Sequence, residues 1–160
     1  MCELVSVKAA DLFSLVDEIL ENGEKAWITV TGMSMYPFLR EGRDSVELSG
    51  VTYDTVKRGD IVLIKRETGH YVLHRLLKKE KDCFFIIGDA QQWVEGPLDP
   101  SQLIACVTSI KRGGQIISCD NIILRCAVRT WLALIPYRRK TMQIYYRIRH
   151  LVSRLIKHRS

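Results

Sequence analysis

Apolar residues recur at helical spacing near the start of the chain, at Leu12, Leu15, Val16, Ile19 and Leu20. They predict an amphipathic helix over residues 7–21, closed by Asn22-Gly23 as a C-cap. The period then falls to two. Ala26-Trp27-Ile28-Thr29-Val30 alternates and is rich in β-formers, and comparable runs occupy 45–48, 61–65, 71–77, 83–87, 103–110 and 115–119. Glycine-containing turns separate most of these runs, with Gly113-Gly114 as a hairpin turn between the last two. Seven short strands predict a mainly β domain, a twisted sheet or partial barrel. From Asn121 the period lengthens again. Residues 122–134 read as a helix broken near Pro136, and 139–157 as a second one. In the second, Ile144, Ile148, Leu151 and Leu155 line one face, widened by Tyr145, Val152 and Ile156. Arg147, Arg154, Lys157 and His158 fall elsewhere, which makes a basic amphipathic helix.

Charge divides the chain where the period changes. Residues 121–160 hold ten Lys/Arg and no acid, a net of +10, whereas residues 1–120 hold 14 Lys/Arg against 18 Asp/Glu, a net of −4. The chain therefore reads as a mildly acidic β domain over 1–120 with a basic helical tail over 121–160. Such a tail suits an anionic membrane surface, and its apolar stripe with Trp131 and Tyr145 favours lipid over nucleic acid. A tail helix packed on the domain with solvated arginines is the competing expectation. The five cysteines are odd in number and scattered, without CxxC or Cys/His metal spacing. They fit small core thiols in a reducing compartment, with no metal or other cofactor implied. Residues 1–10 carry Glu3 and Lys8 and no apolar signal segment, and no run of 18 uncharged apolar residues occurs. The expected location is the cytoplasmic side, with peripheral membrane contact.

Three polar residues interrupt this pattern in an informative order. Ser34 sits between two methionines in Thr31-Gly32-Met33-Ser34-Met35-Tyr36-Pro37, at a strand-to-turn junction. His74 lies inside the apolar string 71–77, and Asp89 ends Ile86-Ile87-Gly88-Asp89. Serine, histidine and acid are the parts of an activated nucleophile. A neutral imidazole is the natural base for Ser34, because its ordinary pKa of about 6.5 already lies near working pH. Strand alternation turns Arg75 away from His74, as a structural or solvated group. His70 and Lys65 are weaker alternative bases, one in a glycine turn and one at a strand end. The Ser34 N–H is the obvious oxyanion donor. Gly32, Met33, Met35 and Pro37 shape the turn and the pocket wall, Gly32 by permitting close approach of a substrate backbone. An extended peptide would bind by strand addition beside the serine.

These boxes carry a family resemblance. Gly32-x-Ser34-Met35-x-Pro37, Lys57-Arg58-Gly59-Asp60-Ile61-Val62, Val72-Leu73-His74-Arg75 and Gly88-Asp89 resemble, in order, the boxes of type I signal peptidases, over about residues 27–110. The Gly32-Met33-Ser34-Met35 wording also resembles the LexA-type self-cleaving peptidases, which share that fold. A histidine where most bacterial members carry lysine is the pattern of the endoplasmic-reticulum and archaeal signal peptidases. The resemblance implies a Ser-His endopeptidase that cuts peptides or preproteins after small residues, without a cofactor. It implies two acids near His74: Asp89 from the Gly-Asp box, the favoured orienter, and Glu95, six residues later, as its rival. It also sets a departure. The position two before the serine, a hydroxyl donor in many signal peptidases, is Gly32 here, with Thr31 as a substitute. The usual transmembrane segment before the serine box is not seen, so a membrane partner protein could supply the anchor.

Two other functions compete. A LexA-type self-cleaving regulator would need an Ala-Gly or Cys-Gly bond, and the chain has neither. A membrane-surface binding module would use residues 121–160 and leave the peptidase site vestigial.

Overall fold

The computed structural model describes residues 9–137 together with positions 140, 143 and 147. Helix α1 (Ala9–Glu21) turns through Asn22-Gly23 into β1 (Lys25–Thr29). Then come β2 (Asp44–Gly50), β3 (Ile61–Lys65), β4 (Tyr71–Lys79), β5 (Phe84–Ile87), β6 (Glu95–Leu98), β7 (Leu103–Arg112), β8 (Gln115–Ser118) and α2 (Ile122–Ala133). The strands form one antiparallel sheet in the order β1-β2-β7-β3-β4-β5-β6, with β8 added to β7. The sheet is open, ending at β1 and β6. The described chain is thus mainly β with a helix at each end.

The continuous apolar run of β3 reflects its central place, since a strand covered on both faces has no polar side to show. Ile61 and Leu63 join Val16 and Leu20 of α1, Ile28, Val46, Leu48 and Val107 in one core. Val62 and Ile64 turn the other way, into a second core with Val56, Leu76, Phe84 and Ile86. Cross-strand pairs share a face, so the pairing of Val62 with His74 puts His74 on the second face, and the pairing of Ile61 with Arg75 puts Arg75 on the first.

All seven sequence-predicted strands are present to within a few residues. The eighth, β6, is not legible because Glu95-Gly96-Pro97-Leu98 looks like a turn. Proline is tolerated there because β6 is an edge strand. Helix α2 starts on Asn121, whose side chain accepts from the Ile123 and Leu124 N–H groups. It packs on the sheet through buried Val128 and Leu132, and Trp131 Nε1 donates to the Asp89 carbonyl at 3.3 Å. The first half of the basic tail is therefore seated on the β domain, and of the helix expected over 139–157 only positions 140, 143 and 147, all helical, are among the described residues. Among the described residues no helix is long and apolar enough to cross a membrane. Cys106 and Cys119 are half-buried, and burial pushes their thiols up to about 12 and about 11. They sit protonated in the packing.

Candidate active site

Ser34 lies in a tight loop after β1, half-buried between exposed Met33 and buried Met35. The loop is fixed from within by the Tyr36 N–H on the Met33 carbonyl and the Leu39 N–H on the Met35 carbonyl. It is fixed from outside by the Ala90 N–H, which donates to the Ser34 carbonyl at 2.8 Å. Gly88 makes this docking possible. A Cβ on Gly88 would stand 2.7 Å from the Ser34 carbonyl oxygen, closer than any side chain can come. β5 pairs Ile87 with Arg75, so one residue further along the same register Gly88 falls opposite His74. The Ser34 backbone and His74 therefore share one face of the sheet, separated by a position kept bare of side chain. The glycine of the Gly-Asp box is a steric requirement that sequence reasoning did not extract.

His74 is 2 % exposed, and its Nδ1 is buried without a hydrogen-bond partner. Glu95 Oε2 stands 3.7 Å from that nitrogen, beyond hydrogen-bond length. The pairing of Glu95 with Ile86 puts the two on one face of the sheet. The Glu95 carboxylate is held instead by Arg66, which donates from Nε at 2.6 Å and from Nη2 at 2.5 Å. Burial dominates the electrostatics of His74 and pushes its pKa below the ordinary imidazole value. Glu95 and Asp89 pull it back up, and the Arg66 guanidinium adds to the lowering. His74 is consequently a neutral base near pH 7. Arg66 had no signal in the sequence: it is one more cation in a turn, and only the fold brings it to Glu95.

Asp89 does not take the orienting position expected of it. It is fully buried and forms a two-pronged pair with Arg75, 2.9 Å to Nε and 2.5 Å to Nη2. Arg75 is on the sheet face opposite His74, so Asp89 turns its carboxylate away from the imidazole and acts on it only through space. Arg75 itself is 2 % exposed, not solvated; its Nη1 also donates to the Gly59 carbonyl at 2.7 Å. Of the two acids, Glu95 is the one that faces Nδ1.

Other expectations are corrected by packing. Met35 is a core residue at 2 % exposure, so the wall beside Ser34 is left to Met33. Pro37 faces a separate small cavity with Phe38 and Ile117. Gly32 has a φ of +80° with open space around it, so its conformation alone calls for glycine. Its N–H donates to Glu41 Oε1 at 2.9 Å and is not available to an oxyanion. Thr31 is exposed. Among the described residues the Ser34 N–H has no protein acceptor, and no hydrogen bond joins the Ser34 hydroxyl to His74. A nucleophile and base without substrate commonly stand apart and close in the reacting complex.

The rival bases are poorly set. His70 is an exposed turn residue. Lys65 is exposed, and its hydrogen bond with Tyr71, then Asp17, raises its pKa and keeps it charged. Exposed Trp93 and Val94 precede Glu95, giving the acid an apolar approach. Among the described residues no group of three or more His, Cys, Asp or Glu could hold a metal ion. No protein-family model matches the chain, and no curated protein matches it.

Proposed function

We propose that the protein is a serine endopeptidase of the signal-peptidase-like type, with the twisted β fold that those enzymes share with LexA-type peptidases. One observation carries the proposal: a buried, neutral imidazole lies across Gly88 from the Ser34 backbone, with a carboxylate facing its other nitrogen. That order of groups suits acyl transfer. Ser34 Oγ attacks the scissile carbonyl while His74 Nε2 takes its proton. The carbonyl oxygen gains negative charge, and the free Ser34 N–H donates to it. The imidazolium that forms is stabilised at Nδ1 by Glu95, which shifts toward it from 3.7 Å. His74 then returns the proton to the leaving amine, which departs as the C–N bond breaks. Water repeats the sequence on the ester, releasing the acid and restoring Ser34.

The substrate is an extended peptide or preprotein segment. The preference for small residues before the cut rests on the resemblance alone. Digestion of a peptide library by the protein and by Ser34→Ala, with products read by mass spectrometry, tests the proposal. Cleavage confined to the wild-type protein, with a serine-linked acyl intermediate, supports it. Cleavage that persists in Ser34→Ala overturns it.

A second activity, docking on anionic membrane, has its own support. Ile122 and Ile123 are 71 % and 77 % exposed at the start of the basic segment, and Ile116 of the preceding strand β8 is 64 % exposed. Because α2 is packed on the sheet, deleting it would unsettle the domain. The suitable variant is Ile122→Asp/Ile123→Asp, which should no longer pellet with phosphatidylserine vesicles. Equal pelleting with the wild type would remove this reading.

A further inference from the structure

A cavity of about 410 Å³ lies between α2 and the first face of the sheet, away from Ser34 and His74. Its size falls within the range of small-molecule sites, which pair an apolar lining with a few convergent polar groups. The depth is apolar: Ile61, Ile110, Val128 and Leu132 are each less than a tenth exposed. Gly59 lets the two walls approach, since its ideal Cβ would stand 3.3 Å from Val128 Cγ1.

The polar lining is mostly spent within the fold. Arg75 is committed to Asp89 and the Gly59 carbonyl. Arg125 is paired with Asp120 at 2.8 Å. Asp60, the one carboxylate among the described lining residues, accepts from the Lys57 N–H at 2.8 Å. Two cations remain. Arg58, from the loop before β3, and Arg129, from α2, both line the cavity and are exposed, so they stand at its mouth. Among the described residues neither has an acid partner. Two unspent guanidiniums over an apolar depth match one kind of ligand: a charged head for the mouth and a hydrocarbon chain for the interior. Planar carboxylates and phosphates are the groups that arginine grips with two parallel hydrogen bonds.

We propose that the cavity beneath α2 binds a single-chain anionic amphiphile, its carboxylate or phosphate head held between Arg58 and Arg129 and its alkyl chain lying against Val128, Leu132 and Ile110. This site is independent of the peptidase reading. It also accounts for the Lys57-Arg58-Gly59-Asp60 box: Gly59 seats α2, and Arg58 supplies half of the anion clamp.

Titration calorimetry of the full chain with decanoate below its micelle concentration tests the proposal. Decyl phosphate, decanol and acetate are the comparison ligands. One saturable site for decanoate or decyl phosphate is expected, and the tighter of the two identifies the head group. Decanol and acetate should each bind at least about tenfold more weakly, because one lacks the charge and the other the chain. Arg58→Gln/Arg129→Gln should weaken the anions by a similar factor while leaving decanol unchanged. Val128→Phe, which fills the cavity, should abolish binding; Ala133→Phe at the rim serves if Val128→Phe melts early. Equal binding of decanol and decanoate overturns the proposal. So does decanoate binding that survives both the arginine pair and the filling variants, because the ligand would then be elsewhere on the basic chain.

Discussion

Asp89 was the expected orienter of His74 and is, in the structure, the partner of Arg75, and these two roles separate cleanly in experiment. The pair is buried at 0 % and 2 % exposure and joined by two hydrogen bonds. Asp89→Ala would leave a guanidinium in the interior without its counter-charge, at a cost of about 3–5 kcal/mol. For a chain of this length that lowers the melting midpoint by roughly 6–20 °C. Arg75→Met should be costly too, because it orphans the carboxylate and the Gly59 carbonyl. The double variant should cost less than the sum by about 1–3 kcal/mol, since neither charge is then left alone. The measurement is chemical denaturation followed by far-ultraviolet circular dichroism. Peptidase kinetics, taken well below the melting midpoint, accompany it. Residual activity per folded molecule should fall modestly, by way of a loosened Gly88-Asp89-Ala90 turn. An Asp89→Ala protein as stable as the wild type, yet devoid of activity, would refute this and return Asp89 to the chemistry.

The remaining predictions concern the same face of the sheet. The acid limb of kcat/KM should have its midpoint below the ordinary imidazole value, because burial favours neutral His74; a midpoint in the lysine range would remove His74 as the base. Unfolded His74 binds its proton at higher pH than folded His74, so stability should be full above about 6.5 and decline as the pH falls from there to the folded value. This contribution to the slope should vanish in His74→Phe. Arg66→Gln removes a lowering influence and frees Glu95 toward Nδ1, so the acid limb should move to higher pH; an unmoved limb would mean that the pair does not act on His74. Gly88→Ala should destabilise the fold by about 1–3 kcal/mol through overpacking and abolish cleavage by displacing Ser34. Wild-type rates in that variant would dissolve the Ser34–Gly88 contact as a determinant of the site. Lys65→Ala should cleave at the wild-type rate, and loss of activity there would reinstate a lysine base.

The strands were legible because their signal is local. Alternation in 26–30 and the unbroken apolar run of 61–65 each report burial on one or both faces, and the two patterns differ for that reason. Edge strand β6 was not, because Gly96 and Pro97 are compatible with an edge yet carry a turn's composition. The site divides along the same line. Ser34 and His74 stand out as polar residues in apolar surroundings, and no partner need be known to notice them. The acids cannot be sorted in that way. Asp89 closely follows β5 and Glu95 opens β6, and which one meets the imidazole depends on the face each turns to. Arg75 decides this for Asp89. Alternation along β4 puts Arg75 opposite His74, and a buried guanidinium must take the nearest buried carboxylate or leave both charges unpaired. With Asp89 so committed, Glu95 is the carboxylate left facing Nδ1, held from the other side by Arg66. The strand alternation that puts Arg75 on the far side therefore also selects the acid, and Arg75→Met, which releases the Asp89 carboxylate, is the variant in which that selection would be lifted.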